Sequence, residues 1–176
     1  MKKYLLYFGL LVIMSTSCLT KRKNFTLYNN KEMLNMIIPI KMTGTYYVKG
    51  DYHHNNINFY TNGLCNYYEL YWGFFFIHND SLLIQYFHID QQNFYKRNVI
   101  ELYGTIINDT SISVYKEKCD WCENVYYGYN NKTEIVYDEP RIYIFREQIK
   151  PDSTQAWFIN KRWYKKGLEK RELPPH

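Results

Sequence analysis

The chain has 176 residues, with 22 Lys and Arg against 17 Asp and Glu for a formal net charge of +5. That length suits one domain, and so slight a charge, with no concentrated basic stripe, excludes a nucleic-acid-binding surface. Twenty Tyr, ten Phe and four Trp make 19% of the chain aromatic; such side chains favour pleated, half-buried surfaces, so an all-β domain is expected. The abundance of Asn, Lys, Ile and Tyr also fits a genome rich in A and T codons.

At the start, Lys2 and Lys3 precede an apolar run, Tyr4 to Met14, and small residues Ser15-Thr16-Ser17 lead to Cys18. This is the layout of a removable export signal over residues 1–17, with an apolar run too short to span a bilayer. Loss of Lys2 and Lys3 lowers the charge by two, to +3. The Ser15-Thr16-Ser17-Cys18 junction resembles the lipobox of bacterial lipoproteins, although Ser15 stands where an aliphatic residue is usual. The resemblance implies cleavage before Cys18 and its acylation, which anchors the domain through buried methylenes worth ~0.8 kcal/mol each. The alternative is an ordinary secretory signal cut near Ser17, with Cys18 a plain thiol.

Residues 18–32 read as a lipidated flexible tether: Leu19 to Lys31 is polar, with no apolar period. Its Lys21-Arg22-Lys23 triplet suits either anionic head groups or plain solvation. Residues 33–176 form the single domain. Period-two runs predict strands over Thr43–Lys49, Asn56–Thr61, Tyr67–Ile77, Leu82–Ile89, Val99–Ile107, Thr110–Lys116, Glu134–Tyr137 and Arg141–Arg146. Turn-forming residues punctuate them at Gly50-Asp51, Asn62-Gly63, Asn79-Asp80, Asn108-Asp109, Asn130-Asn131 and Asp138-Glu139-Pro140. Links this short join antiparallel neighbours, and eight strands close an up-and-down barrel without an edge.

The hairpin at Asn79-Asp80 fixes its own register. A two-residue loop sets Ile77 opposite Leu82, Phe75 opposite Ile84 and Gly73 opposite Tyr86 on one face. On the other face Phe76 meets Leu83, Phe74 meets Gln85 and Trp72 meets Phe87. Both faces are apolar, so the hairpin needs cover from the barrel interior and from an outer helix, loop or partner. Gly73 leaves bare backbone for the ring of Tyr86. Ser111 and Ser113, in the next hairpin, mark a half-exposed face.

Four strings, Tyr71-Trp72-Gly73-Phe74-Phe75-Phe76-Ile77, Asp80-Ser81-Leu82-Leu83-Ile84-Gln85, Gly104-Thr105-Ile106-Ile107-Asn108-Asp109-Thr110 and Lys150-Pro151-Asp152-Ser153-Thr154, give the chain a family likeness. It resembles uncharacterised lipocalin-like lipoproteins of Gram-negative bacteria over most of Thr43 to Lys166. Gly44-Thr45-Tyr46 is similar to the Gly-x-Trp entry of lipocalins. The resemblance implies a barrel able to hold a small apolar ligand, located in the bacterial cell envelope at the outer membrane, on its periplasmic or surface face. It brings no catalytic residues.

The tail predicts a short C-terminal helix. Pro151-Asp152-Ser153 offers a capped start, Ala156, Ile159 and Trp163 share a helical stripe, and Gly167 can end it. Laid on the barrel, this helix would cover the outer apolar face. A ninth strand from Ala156 to Tyr164 is the rival. Lys161, Arg162, Lys165, Lys166, Lys170 and Arg171 make this end basic and suit a solvated face, or contact with anionic lipid or glycan.

Cys65, Cys119 and Cys122 remain beside Cys18. Cys119-Asp120-Trp121-Cys122 has redox spacing, but a thioredoxin-like site needs its first thiol at a helix N-terminus in a βαβ unit, and this pair follows a strand. A structural disulfide fits an oxidising compartment, within the pair or from one member to Cys65. His53-His54 are the clustered candidates for zinc and read as solvated turn residues. Ser113-Val114-Tyr115-Lys116 has Ser-x-x-Lys spacing, but strand alternation sends Ser113 and Lys116 to opposite faces. Asp120 and Glu123 could pair as acid and base, yet exposed loop acids are usually only solvated. With no nucleophile elbow, metal motif or phosphate loop, neither an enzyme nor a cofactor is expected.

Two classes of function stay open. In one, the barrel binds a small apolar or amphipathic molecule, with Tyr hydroxyls to orient it. In the other, the barrel fills itself with rings and an outer aromatic face docks to an envelope protein or glycan. Tyr68, Tyr71, Trp72 and Tyr86 are the candidate contacts for either.

Overall fold

The structure, a computed structural model, describes residues 26–27, 32–33, 36–89, 97–119 and 134–172, with backbone alone at 51–54, 89, 97–98, 167 and 170–172. Its strands are β1 (Gly44–Val48), β2 (Asp51–Phe59), β3 (Leu64–Tyr67), β4 (Tyr71–His78), β5 (Ser81–Ile89), β6 (Arg97–Asn108), β7 (Ser111–Cys119) and β8 (Glu134–Glu147). Each pairs antiparallel with the next and β1 pairs with β8, so the sheet closes as an eight-stranded up-and-down barrel. Closure leaves no row of unpaired backbone groups.

Three of the expected strands are redrawn. Tyr67 to Ile77 is broken by a turn at Tyr68-Glu69-Leu70, which separates β3 from β4. Conversely, Asp138-Glu139-Pro140 is no corner. It lies inside β8 as a bulge, since Lys116 pairs with Val136 while Val114 pairs with Arg141. A bulge tolerates proline because the ladder is interrupted there. The hairpin at Asn79-Asp80 keeps its predicted register, from Gly73 opposite Tyr86 to Ile77 opposite Leu82. Asn79 supplies the left-handed residue, at φ 54°.

Alternation along the strands builds two apolar layers. The interior is filled by side chains including Tyr46, Ile57, Phe59, Cys65, Phe75, Ile84, Leu102, Ile112 and Tyr143. Rings interlock there: Phe59 lies 5.5 Å from Tyr46 and 4.9 Å from Phe75, both edge-on. The outer layer joins Trp72, Phe74, Phe87 and Val99 to Ala156, Phe158 and Tyr164 from the C-terminal segment and to Leu27 and Met33 from the N-terminal one. This is the second cover that the hairpin requires.

That cover is a helix, but placed later than the sequence suggests. Asp152 caps a 3-10 turn, Ser153–Gln155, by accepting from the Thr154 N–H at 2.9 Å. Helix α1 then runs over Arg162–Glu172 and passes through Gly167. Its contact with the barrel comes through Tyr164, and through Phe158 just before the helix; their rings lie 6.2 Å and 5.2 Å from Phe74.

Leu27, assigned above to the tether, is packed on the same outer face, and Thr26 beside it is held there by a hydrogen bond. Gln85 points outward from β5 and is fully buried. It accepts from the Leu27 N–H at 2.9 Å and donates to Thr26 Oγ1 at 2.7 Å and Glu101 Oε1 at 2.6 Å. A buried amide with its polar atoms paired in this way fixes one docking position for the N-terminal segment.

Candidate functional site: a tyrosine-lined barrel mouth

The two ends of the barrel differ. At the end holding the Asn62-Gly63, Asn79-Asp80 and Asp109-Thr110 turns, residues 36–43 lie against the strands and close the interior. Ile40 is buried in the core, with Met36, Ile38 and Met42 packed on it. Met36 Sδ accepts from the Ile77 N–H, and Asp109 O accepts from both the Lys41 N–H and the Tyr46 hydroxyl at 2.8 Å. Lys150 binds the exit of β8 to this end, donating to Met42 O and Phe59 O and lying 4.1 Å from the Tyr60 ring centroid.

At the other end, where β3 turns into β4 and β8 begins, the interior opens into a cavity of about 420 Å³. Its wall holds Tyr67, Tyr68, Tyr71 and Tyr86, together with Asn55, His88, Ile100, Glu117, Ile135, Tyr137 and Arg141 on the strands around it. The rings form a continuous face. Tyr86 lies 4.6 Å from Tyr67 and 5.9 Å from Tyr71, and Tyr71 lies 4.9 Å from the His88 ring. Tyr68, at φ 57°, is turned to join them, and its hydroxyl donates to Asn55 Oδ1.

Polar groups are concentrated on the β7–β8 side. The Tyr137 hydroxyl donates to Glu117 Oε2 at 2.5 Å, and the Arg141 guanidinium stands 4.2 Å from the Tyr137 ring centroid. Tyr67 and Tyr143 share a hydrogen bond below them. Burial pushes the Tyr137 hydroxyl far above its ordinary range, and the neighbouring Glu117 charge adds to this. Tyr67 is likewise raised by burial, and Tyr71 by burial and the proximity of Tyr68. For Arg141 burial disfavours the charge, but Tyr137, Tyr143, Tyr67 and Glu117 outweigh it and the net shift is upward. The cavity therefore combines apolar ring surface, neutral hydroxyls, one carboxyl group and a guanidinium that stays charged.

Of the four candidate contacts, Tyr68, Tyr71 and Tyr86 come together here. Trp72 does not. Its neighbour Tyr71 faces the interior, so alternation sends Trp72 outward, where it is buried beside Tyr60 at 5.5 Å. Sequence reasoning missed Glu117, Tyr137 and Arg141. Tyr137 and Arg141 share one inward phase along β8 with Ile135 and Tyr143, whereas Glu117 joins them because the register irregularity between Val114 and Lys116 leaves both Val114 and Glu117 facing inward.

Cys119 is disulfide-bonded and Cys65 is a free, buried thiol, so pairing with Cys65 is not the arrangement adopted. Burial raises the Cys65 thiol far above its ordinary range. Cys18, Asp120, Cys122 and Glu123 lie outside the described residues, as do the side chains of His53 and His54. Among the described residues no three His, Cys, Asp or Glu side chains are grouped to hold a metal ion, and no helix is long and apolar enough to cross a membrane. No family model, no curated protein and no solved structure matches this chain.

Proposed function

We propose that this is an exported, lipid-anchored binding barrel that takes a small amphipathic molecule into its tyrosine-lined mouth. The observation that carries this is the asymmetry of the interior among the described residues: one end is plugged by residues 36–43, and at the other they bound about 420 Å³ of ring-walled space. That volume suits a small ligand, and a ring-lined wall with a few convergent polar groups is the usual make-up of a binding pocket. The protein is no enzyme in this account, and it needs no cofactor. Export and anchoring rest on residues 1–18, whose Ser15-Thr16-Ser17-Cys18 junction supports a lipid-anchored domain of the cell envelope, at the outer membrane on this reading.

Native mass spectrometry of protein purified from its own envelope tests the binding role. A retained small molecule, lost on denaturation, is the expected result; ligand-free protein that also takes up no amphiphile contradicts it. The anchor has its own test: Cys18→Ala should move the protein from the membrane to the soluble fraction, and unchanged partitioning would refute acylation there.

One observation favours docking to an envelope component as a second role. The plugged end carries a groove of about 500 Å³ lined by Met36, Ile37, Pro39, Phe76 and Ile77 and, on its polar side, by Glu32, His78, Asn79 and Asp80, with Ile37 84% exposed.

A further inference from the structure

Arg141 is the unusual group in the mouth. It faces inward from β8, half-buried, against Tyr137. Among the described residues its guanidinium has no hydrogen-bond acceptor and no ion-pair partner; it stands over the Tyr137 ring at 4.2 Å, with Tyr143, Tyr67 and Glu117 near enough to act on its charge. A guanidinium carries five N–H donors in a planar fork, and leaving them unpaired away from bulk water is costly. Glu117 shares the cavity, but its carboxylate accepts from the Tyr137 hydroxyl and makes no ion pair with Arg141. Tyr137 thus holds the acid on its hydroxyl and the base on its ring, and the fork is left facing the cavity.

On the binding role proposed above, we infer that the mouth selects ligands with an anionic head group, the head taken by Arg141 and the apolar body laid along Tyr67, Tyr71, Tyr86 and Ile100. Carboxylate and phosphate both match the fork bidentately. Tyrosine hydroxyls held far above their ordinary range stay neutral and so do not repel the anion. Charge-assisted hydrogen bonds in such a site are worth about a tenfold difference in affinity or more.

Isothermal titration of the mature protein with decanoate, decyl phosphate and 1-decanol separates the possibilities. Tighter binding of at least one anion than of decanol, by about tenfold or more, is expected, and the better anion identifies the head group. Arg141→Gln should erase that preference while decanol binding persists, which shows that the cavity is intact. Arg141→Lys, which keeps the charge without the fork, should retain part of it and serves if the Gln variant does not fold. Equal binding of all three probes, or a preference that survives Arg141→Gln, overturns the anion inference and leaves the binding role standing. Binding of none of the three sinks both.

Discussion

Tyr68 and Glu69 hold left-handed backbone, with φ of 57° and 59°, in a turn closed by the Leu70 N–H on Tyr67 O at 3.2 Å. Side chains with a Cβ pay for that conformation with about 1 kcal/mol each, and two-residue turns of this hand ordinarily carry Asn or Gly. The turn was illegible in the sequence for that reason: Tyr-Glu-Leu carries no turn chemistry, and it sits between two apolar runs that read as one strand. Strain retained where Tyr68 enters the cavity wall is consistent with a functional position. Glu69 is exposed and outside the wall, so Glu69→Gly should raise stability by about 0.5–1 kcal/mol in urea unfolding; a loss would mean that the turn is not strained. The tyrosines make a second residue-scale prediction. Burial raises Tyr143 to about 12, and raises Tyr46, Tyr60, Tyr67 and Tyr137 as well. In the unfolded chain all ionise near 10. Above that pH the folded state binds more protons than the unfolded one, so stability is full below about pH 10 and falls as pH rises towards 12. The urea midpoint, followed alongside tyrosinate absorbance, should stay level to about pH 10 and then drop; tyrosines that all titrate near 10 in folded protein would contradict the burial.

At the scale of elements, the β4–β5 hairpin was legible to the residue because its loop length fixes the register and its two apolar faces demand two covers. What covers the outer face was harder to read. The run Ala156-Trp157-Phe158-Ile159 offers a helical stripe at Ala156 and Ile159, but it forms turns that press Phe158 onto Phe74 and Trp157 onto Phe87 before α1 begins. Phe158 is fully buried, so Phe158→Ala should cost about 3–5 kcal/mol. The Phe74 and Phe87 surface would then become accessible to a hydrophobic dye, and denaturant unfolding with dye fluorescence measures both effects. A change below about 1 kcal/mol with no added fluorescence would show that the C-terminal segment does not hold this face.

For the whole molecule, closure of eight strands is legible because short turns force neighbours to pair, and the number eight holds although strand periodicity hides Leu64–Tyr67 and splits β8 at Asp138-Glu139-Pro140. The site was only partly legible. Tyr71 and Tyr86 follow from the hairpin, whereas Tyr68 joins them through the turn at 68–70, and Glu117 meets Tyr137 and Arg141 because the register of β7 shifts between Val114 and Lys116, which strand periodicity cannot place. The central claim is that one end of this barrel is plugged and the other admits an amphipathic molecule. Backbone amide NMR during titration with 1-decanol tests it most directly. Saturable shifts clustered at Tyr67–Tyr71, Tyr86–His88 and Ile135–Arg141, with Ile40, Tyr46 and Phe158 unmoved, are the predicted result; shifts confined to the plugged end or the C-terminal helix, or none that saturate, would contradict it.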